Sequence, residues 1–202
     1  MKLYYSPGAC SLAPHMALRE AGLVFELEQV DLGTRKTATG ADFTAINPKG
    51  YVPCLQLDNG AILTECAVLL QWIADQKPAL GLIPAAGSFE RYQVLEVLNF
   101  IATELHKGFG PLFNPEFPEA GRKIAIDNLG KRLDLLDREL ARRQFVCGDR
   151  FTVADCYLAT ILGWARFVKL DLAPWPNLTG YLERVRARPA VQETFKAERL
   201  RV

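Results

Sequence analysis

The chain has 202 residues, half of them apolar, and its 24 lysines and arginines against 23 aspartates and glutamates leave a formal net charge of +1. That length builds a sizeable core in one large or two small domains, and so even a balance gives no electrostatic case for nucleic acid or anionic lipid. Five cysteines, with no C-x-x-C pair and no cysteine–histidine cluster at ligand spacing, argue against a disulfide framework and a zinc site.

Only a few apolar residues follow Lys2 before Ser6-Pro7-Gly8, and the longest uncharged apolar stretch, Tyr157 to Ala165, is far too short to cross a bilayer. No signal peptide is expected, and the reading is a cytoplasmic protein in a reducing compartment. Leu3, Tyr4 and Tyr5 give a short strand, Ser6-Pro7-Gly8 a turn, and the helical period then starts at once and runs to Gly22. Cys10 therefore stands where a strand hands over to a helix N-terminus, a place that lowers a thiol's pKa, and position 13 carries alanine rather than a second cysteine. His15, in the first helix, reads as structural.

Residues 25–30 (FELEQV) read as a strand, and the polar run from Asp31 to Asp42 as turns. A short helical piece at Phe43 to Ile46 leads into NPKGYVP, then CLQLDNGAILT reads as a hairpin turning at Asn59-Gly60, and a helix runs from Glu65 to about Lys77. Strand, helix, strand, short helix, strand, strand, helix makes a small α/β layer. KPALGLIPAAGS (77–88) marks a boundary, after which the period stays helical. Val94, Leu98, Ile101 and Leu105 form one apolar stripe, PLFNPEFPEAG breaks that helix, and further helices are expected at 119–143, 152–169, 177–187 and beyond Pro189. The late arginines 184, 186, 188, 199 and 201 are interleaved with glutamates 183, 193 and 198, as on a solvated helix face.

Several stretches carry possible chemistry. A cis Val52-Pro53 bond would leave the Val52 N–H and C=O ready to pair with an extended peptide. Thr64, Glu65 and Cys66 open a helix whose N–H groups suit a carboxylate while Glu65 suits an ammonium group; plain capping, with Thr64 as the N-cap, explains the same residues. Asn99, Thr103 and His106, spaced four and three apart, share one helix face. Thr152 and Asp155 form a capping box, with Phe151 and Cys156 spaced as a hydrophobic staple. Cys54, Cys66, Cys147 and Cys156 read as packed or incidental thiols.

Taken together, SPGACSL, NPKGYVP, LTE, LNFIATELHKGF, PLFNP and FTVADCYL resemble the cytosolic glutathione transferases over the whole chain, specifically the bacterial beta class. PGACSLAPH, VPCLQLD, GSFERY and LGWA further resemble transferases associated with degradation of biphenyl-like aromatics. The resemblance implies an α/β plus all-α protein: a thioredoxin-like, glutathione-binding N-terminal domain over residues 1–81, and a helical C-terminal domain over 88–202 that supplies the hydrophobic substrate site and the contacts of a homodimer. It implies a glutathione site with Cys10 and His106 as catalytic residues. Ala9, Arg35, Tyr51, Val52, Pro53, Glu65, Cys66 and Asn99 would line that site, and Thr103 and Lys107 would reach the neighbouring subunit's tripeptide. Residue 66 is commonly serine and residue 35 commonly lysine in such proteins, so Cys66 and Arg35 are departures. Tyr5 and Ser11 match thiol-activating residues of other classes and are expected to be secondary here.

An unperturbed thiol is only about 3% ionised at pH 7, so lowering its pKa by two units takes roughly 2.7 kcal/mol. The expected activity is attack of the glutathione thiolate on a hydrophobic electrophile held by Phe109, Phe113 and Trp164, a detoxification chemistry acting on xenobiotics, with no nucleic-acid or membrane partner. One alternative is glutathione-dependent thiol transfer or reductive dehalogenation through a Cys10 mixed disulfide. Another is a non-catalytic binding or scaffold protein of the same fold.

Overall fold

The structure, a computed structural model, describes residues 1–201. Strand β1 (Lys2–Tyr5) lies at the centre of a five-stranded sheet of order β3-β2-β1-β4-β5. It runs parallel to β2 (Glu26–Asp31), with Leu3 opposite Leu27, and antiparallel to β4 (Cys54–Gln56), with Leu3 opposite Leu55. Helix α1 (Leu12–Glu20) is the crossover that the β1 to β2 parallel pairing requires. The expected hairpin is present as β4 and β5 (Ile62–Thr64). The two-residue strand β3 (Lys36–Thr37) pairs with the end of β2 inside the stretch read as turns, being too short to show alternation. Helix α2 (Phe43–Ile46) follows it, and Phe43 seals the outer face of the sheet with Tyr4, Val30, Val52 and Cys54.

The other face carries the main core. Helix α3 (Cys66–Asp75) buries Cys66, Leu69, Leu70, Ile73 and Ala74, one stripe at helical spacing. Beyond residue 88 every regular element is helical: α4 (Phe89–Phe100), a π-helical turn (Ile101–His106), α5 (Lys107–Phe109), α6 (Glu119–Leu140), α7 (Val153–Leu162), α8 (Pro176–Arg186) and α9 (Pro189–Ala197). Two helices end earlier than expected, α6 at Leu140 and α7 at Leu162, where a 3-10 turn (Gly163–Arg166) takes over.

Helix α1 joins the two layers, packing against α3 on one side and α7 and α9 on the other, so nearly all of it is buried. Leu3, Leu12, Leu69, Leu98, Leu158 and Tyr181 accordingly belong to one continuous core. Arg91 of α4 adds a bidentate pair to Asp75 of α3, both bonds at 2.8 Å. Of the four thiols read as packed or incidental, Cys54, Cys66 and Cys156 are buried and Cys147 is half-buried.

Helix α7 opens on the expected capping box of Thr152 and Asp155. The Asp155 carboxylate, fully buried, accepts from Val146 N at 2.9 Å, Thr152 N at 2.8 Å, Thr152 Oγ1 at 3.1 Å and the Tyr181 hydroxyl at 3.1 Å. It thus ties the loop before α7 to α8, while burial pushes its own pKa up to about 6. Truncation strands several buried donors at once, each worth about 1–3 kcal/mol. Asp155→Ala is expected to lower the unfolding free energy by about 3 kcal/mol or more, and Asp155→Asn, which keeps one acceptor, by less; urea titration followed by circular dichroism measures both.

Candidate active site between the two layers

A cavity of about 730 Å³ opens where the C-terminal edge of β1 faces the helical layer. Its floor is the turn from Ser6 to Cys10, with Val52 and Pro53 on one side and Glu65 and Cys66 on the other. The helical layer contributes His106, Lys107, Phe113, Tyr157, Trp164 and Phe167.

The floor is fixed from both layers. Ser11, fully buried, accepts from Ser6 N at 3.1 Å and donates to Ser6 O at 3.2 Å, which closes the turn and leaves its hydroxyl no role in the cavity. Tyr5 is likewise buried and lies outside the cavity lining. Gly8 adopts φ +73°, and its two backbone groups are held by the helical layer: its N–H by Glu198 Oε2 at 3.0 Å, its C=O by Trp164 Nε1 at 2.9 Å. A side chain there would be strained by φ, with its Cβ in contact with the Phe167 ring. Glu198 also accepts from His15 Nδ1 at 2.8 Å, and Arg19 Nε donates to His15 Nε2 at 3.0 Å, so His15 is the structural residue it was expected to be.

Cys10 is half-buried and its thiol donates to Val52 O at 3.3 Å, across the cis Val52-Pro53 bond. The expected low pKa is reversed. Burial pushes the Cys10 thiol up to about 12, outweighing the N–H groups of Cys10 and Ser11 that pull it down. At neutral pH Cys10 is therefore a protonated donor. No backbone group among the described residues bonds to Val52 N–H or C=O.

Thr64 is not the cap of α3: it ends β5, and its Oγ1 accepts from Lys49 Nζ at 2.9 Å. The capping position falls to Glu65, held at φ +72° with no side-chain bond back to its own helix. Its carboxylate instead accepts from the Tyr51 hydroxyl at 2.8 Å and Lys49 Nζ at 3.2 Å, and these bonds hold it below the usual carboxylate range. A non-glycine residue in such a conformation costs about 1–3 kcal/mol and typically marks a site where its side chain is needed. Cys66, 5% exposed, begins α3 and donates its S–H to Cys10 O at 3.6 Å.

His106 lines the cavity while Asn99 and Thr103 do not; both are exposed, and Thr103 Oγ1 turns back to Asn99 O at 3.0 Å. Their shared face was counted at α-helical spacing, and the intervening π turn adds a residue per turn and swings His106 away from the other two. The His106 ring meets Tyr157 and Trp164 edge-on at 5.8 and 4.8 Å, and Nδ1 lies 2.7 Å from the Tyr157 hydroxyl. Burial, helped by Lys107, pushes its pKa down to about 4, so the ring is neutral at pH 7.

Of the three expected walls for an electrophile, Trp164 and the exposed Phe113 line the cavity, their rings edge-to-face at 5.2 Å. Phe109 does not: it is fully buried behind Trp164 as part of the core. Arg35 also stands outside the lining, its guanidinium donating to Gly50 O in the turn before Tyr51. Ser6, Pro7, Gly8, Leu32, Ala102, Tyr157 and Phe167 line the cavity without having been singled out from the sequence. Tyr157 alone carried a readable sign, a hydroxyl inside an apolar helix that burial obliges to find a partner. Among the described residues no cluster of metal-ligating side chains is present, and no helix is long and apolar enough to cross a membrane.

A sheet with a cis-proline before its hairpin, a thiol at the mouth of α1 and a helical layer closing the cavity define a thioredoxin-like domain joined to a helical one. Models of the glutathione S-transferase N-terminal domain match residues 8–76 and of the C-terminal domain residues 100–189. The chain is 46% identical to the glutathione S-transferase GstA of Escherichia coli O157:H7 over 201 residues, all of both chains. It superposes on the glutathione transferase of Methylococcus capsulatus with TM-score 0.96 and 61% identity over 98% of each chain. A sphingomonad glutathione S-transferase, solved with glutathione, gives TM-score 0.96 and 49% identity over 100% of each. The chain belongs to the glutathione S-transferase family.

The His106 shift fixes a pH response of stability. Its folded pKa of about 4 lies below the ordinary 6.5, so the unfolded chain takes the proton first and stability falls as pH drops from 6.5 towards 4. Between pH 7 and pH 5 this amounts to about 2 kcal/mol. His106→Gln should remove that share, and comparing urea midpoints of both proteins at the two pH values measures it.

Proposed function

We propose that this protein conjugates glutathione to hydrophobic electrophiles, holding the tripeptide's sulfur as a thiolate with neutral hydrogen-bond donors. The observation that carries the reading is the Cys10 S–H bonded to Val52 O at the floor of the cavity. Val52 offers an incoming peptide both backbone groups, and a tripeptide that pairs with the carbonyl takes it from Cys10. The thiol is then free to donate to the sulfur arriving beside it. The γ-glutamyl end, with one ammonium and one carboxylate, fits the ionised Glu65 and the N–H groups at the start of α3. The relative crystallised with glutathione, nearly half identical to this chain, supports the same ligand.

The electrostatics favour conjugation over a mixed disulfide. A nucleophilic Cys10 must be ionised, whereas here the thiol is held protonated. Two charge-assisted bonds at about 1.5–3 kcal/mol each cover the roughly 2.7 kcal/mol that a two-unit fall in the substrate's pKa takes. The glutathione sulfur attacks an electrophilic carbon, as in an activated aryl halide. The C–S bond forms, the halide leaves with the bonding pair, and the thiol proton goes to solvent.

In this reading residues 1–81 bind the tripeptide, and residues 88–202 shape the apolar part of the cavity with Phe113, Trp164 and Phe167. The protein works as a homodimer in the cytoplasm: Val68, Phe89 and Tyr92 stand 44%, 73% and 61% exposed on α3 and α4, apolar area that a second copy would cover. Light scattering should give twice the chain's 22.5 kDa, and a monomer rejects that part of the reading.

Cys10→Ser keeps a donor, so kcat/KM for conjugation of a chlorodinitrobenzene should stay within about tenfold of wild type. Cys10→Ala removes the bond and should lose about tenfold or more. Intact mass after incubation with glutathione disulfide should show no adduct at Cys10. An inactive serine variant together with a stoichiometric adduct would establish the mixed-disulfide reading instead.

A further inference from the structure

We propose that Tyr157 is a positioning residue: its hydroxyl donates to His106 Nδ1 and so fixes the imidazole in the tautomer that presents Nε2–H to the cavity. The 2.7 Å separation makes this one of the shortest side-chain bonds at the site, and Tyr157 is only 2% exposed.

The direction of the bond follows from what surrounds it. A neutral imidazole has one donor and one acceptor nitrogen, and burial keeps His106 neutral. Burial also drives the Tyr157 hydroxyl far above its ordinary range, so it stays protonated. Its other polar neighbour is the Cys66 thiol. Sulfur is the poorer acceptor, and the Cys66 proton is itself directed at Cys10 O. If Nδ1 carried the proton, the Tyr157 hydrogen would have only that sulfur to go to. With Nδ1 as acceptor both groups are satisfied.

The imidazole packs edge-on between Tyr157, at 88° to its plane, and Trp164, at 76°. Trp164 is itself anchored through Nε1 to Gly8 O. Nε2 has no protein partner among the described residues, and His106 lines the cavity. Tyr157 thus decides, from behind, that the second donor facing the sulfur is an N–H rather than a lone pair. A lone pair at that place would repel a thiolate. This last step rests on the glutathione reading, whereas the tautomer does not.

Two measurements test the proposal. The imidazole nitrogen shifts of the ligand-free protein at neutral pH, with the buried His15 as internal reference, should show His106 as the Nε2–H tautomer. In Tyr157→Phe, which keeps the ring and removes only the hydroxyl, they should move to a mixture. In that variant the ultraviolet thiolate band of bound glutathione should titrate about one unit higher, a tenfold smaller thiolate fraction below the pKa, with little change in glutathione affinity. An Nδ1–H tautomer in wild type, or shifts unaffected by Tyr157→Phe, overturns the proposal whether or not glutathione binds. An unchanged thiolate titration in a variant whose tautomer has changed overturns the link to catalysis. Failure of wild type to bind glutathione would reject the ligand while the nitrogen shifts still decide the tautomer.

Discussion

The cavity exists because Gly8 is held at both its backbone groups by residues more than 150 positions away, Glu198 at the N–H and Trp164 at the C=O. Without that clamp the turn carrying Cys10 would be an ordinary surface connection between a strand and a helix, free to fray and open to water. With it, the turn is pressed into the seam between layers, and the His15–Glu198 pair ties the same point to the body of α1. One hydrogen-bonded glycine therefore links the core packing of α1, α7 and α9 to the position of a single sulfur. The φ of +73° explains why the residue is glycine: the clamp needs both peptide groups turned towards the helical layer.

Neutrality is the second consequence. Burial raises the Cys10 thiol to about 12 and lowers His106 to about 4, so the two groups best placed to act are both uncharged at pH 7. A water-filled site would have left a cysteine near a helix N-terminus partly ionised and a histidine about a quarter charged. Being uncharged, neither group competes with an incoming anion for stabilisation. Both keep a proton to donate, and a donor in a low-dielectric site is worth more than the same donor in water.

What could be read from the sequence is what local chemistry dictates. The hairpin at Asn59-Gly60, the capping box of Thr152 and Asp155 and the apolar stripe of Val94, Leu98, Ile101 and Leu105 each follow from a few neighbouring residues, and each is present. The thiol's protonation was not legible, because the helix terminus that lowers its pKa is encoded at residues 10–12 while the burial that raises it comes from parts of the chain distant in sequence, Val52 and Cys66 among them. Asn99 and Thr103 were grouped with His106 on a 3.6-residue period, and a π turn is invisible to a rule that assumes that period. Phe109 and Phe113 are both aromatic residues near one helix end, and only the packing of Trp164 against them decides that the first is core and the second wall. Tyr157 escaped for the same reason: nothing near it in sequence names His106, which is 51 positions earlier.

Cys66 shows how one substitution can be absorbed by such a site. Serine at the start of α3 would offer a hydroxyl to a carboxylate; cysteine is a weak donor with a larger, softer sulfur. Here the sulfur is turned inward, with its proton on Cys10 O and the Tyr157 hydroxyl beside it. It thereby packs the gap between the two helix N-termini and leaves the backbone N–H of the α3 terminus as the anion-binding element. Two uncharged thiols can sit so close together because burial suppresses both ionisations, and Cys10 adds to the cost of ionising Cys66. The proposed chemistry, which uses neutral donors rather than a protein thiolate, is compatible with a buried thiol in place of a hydroxyl at this position.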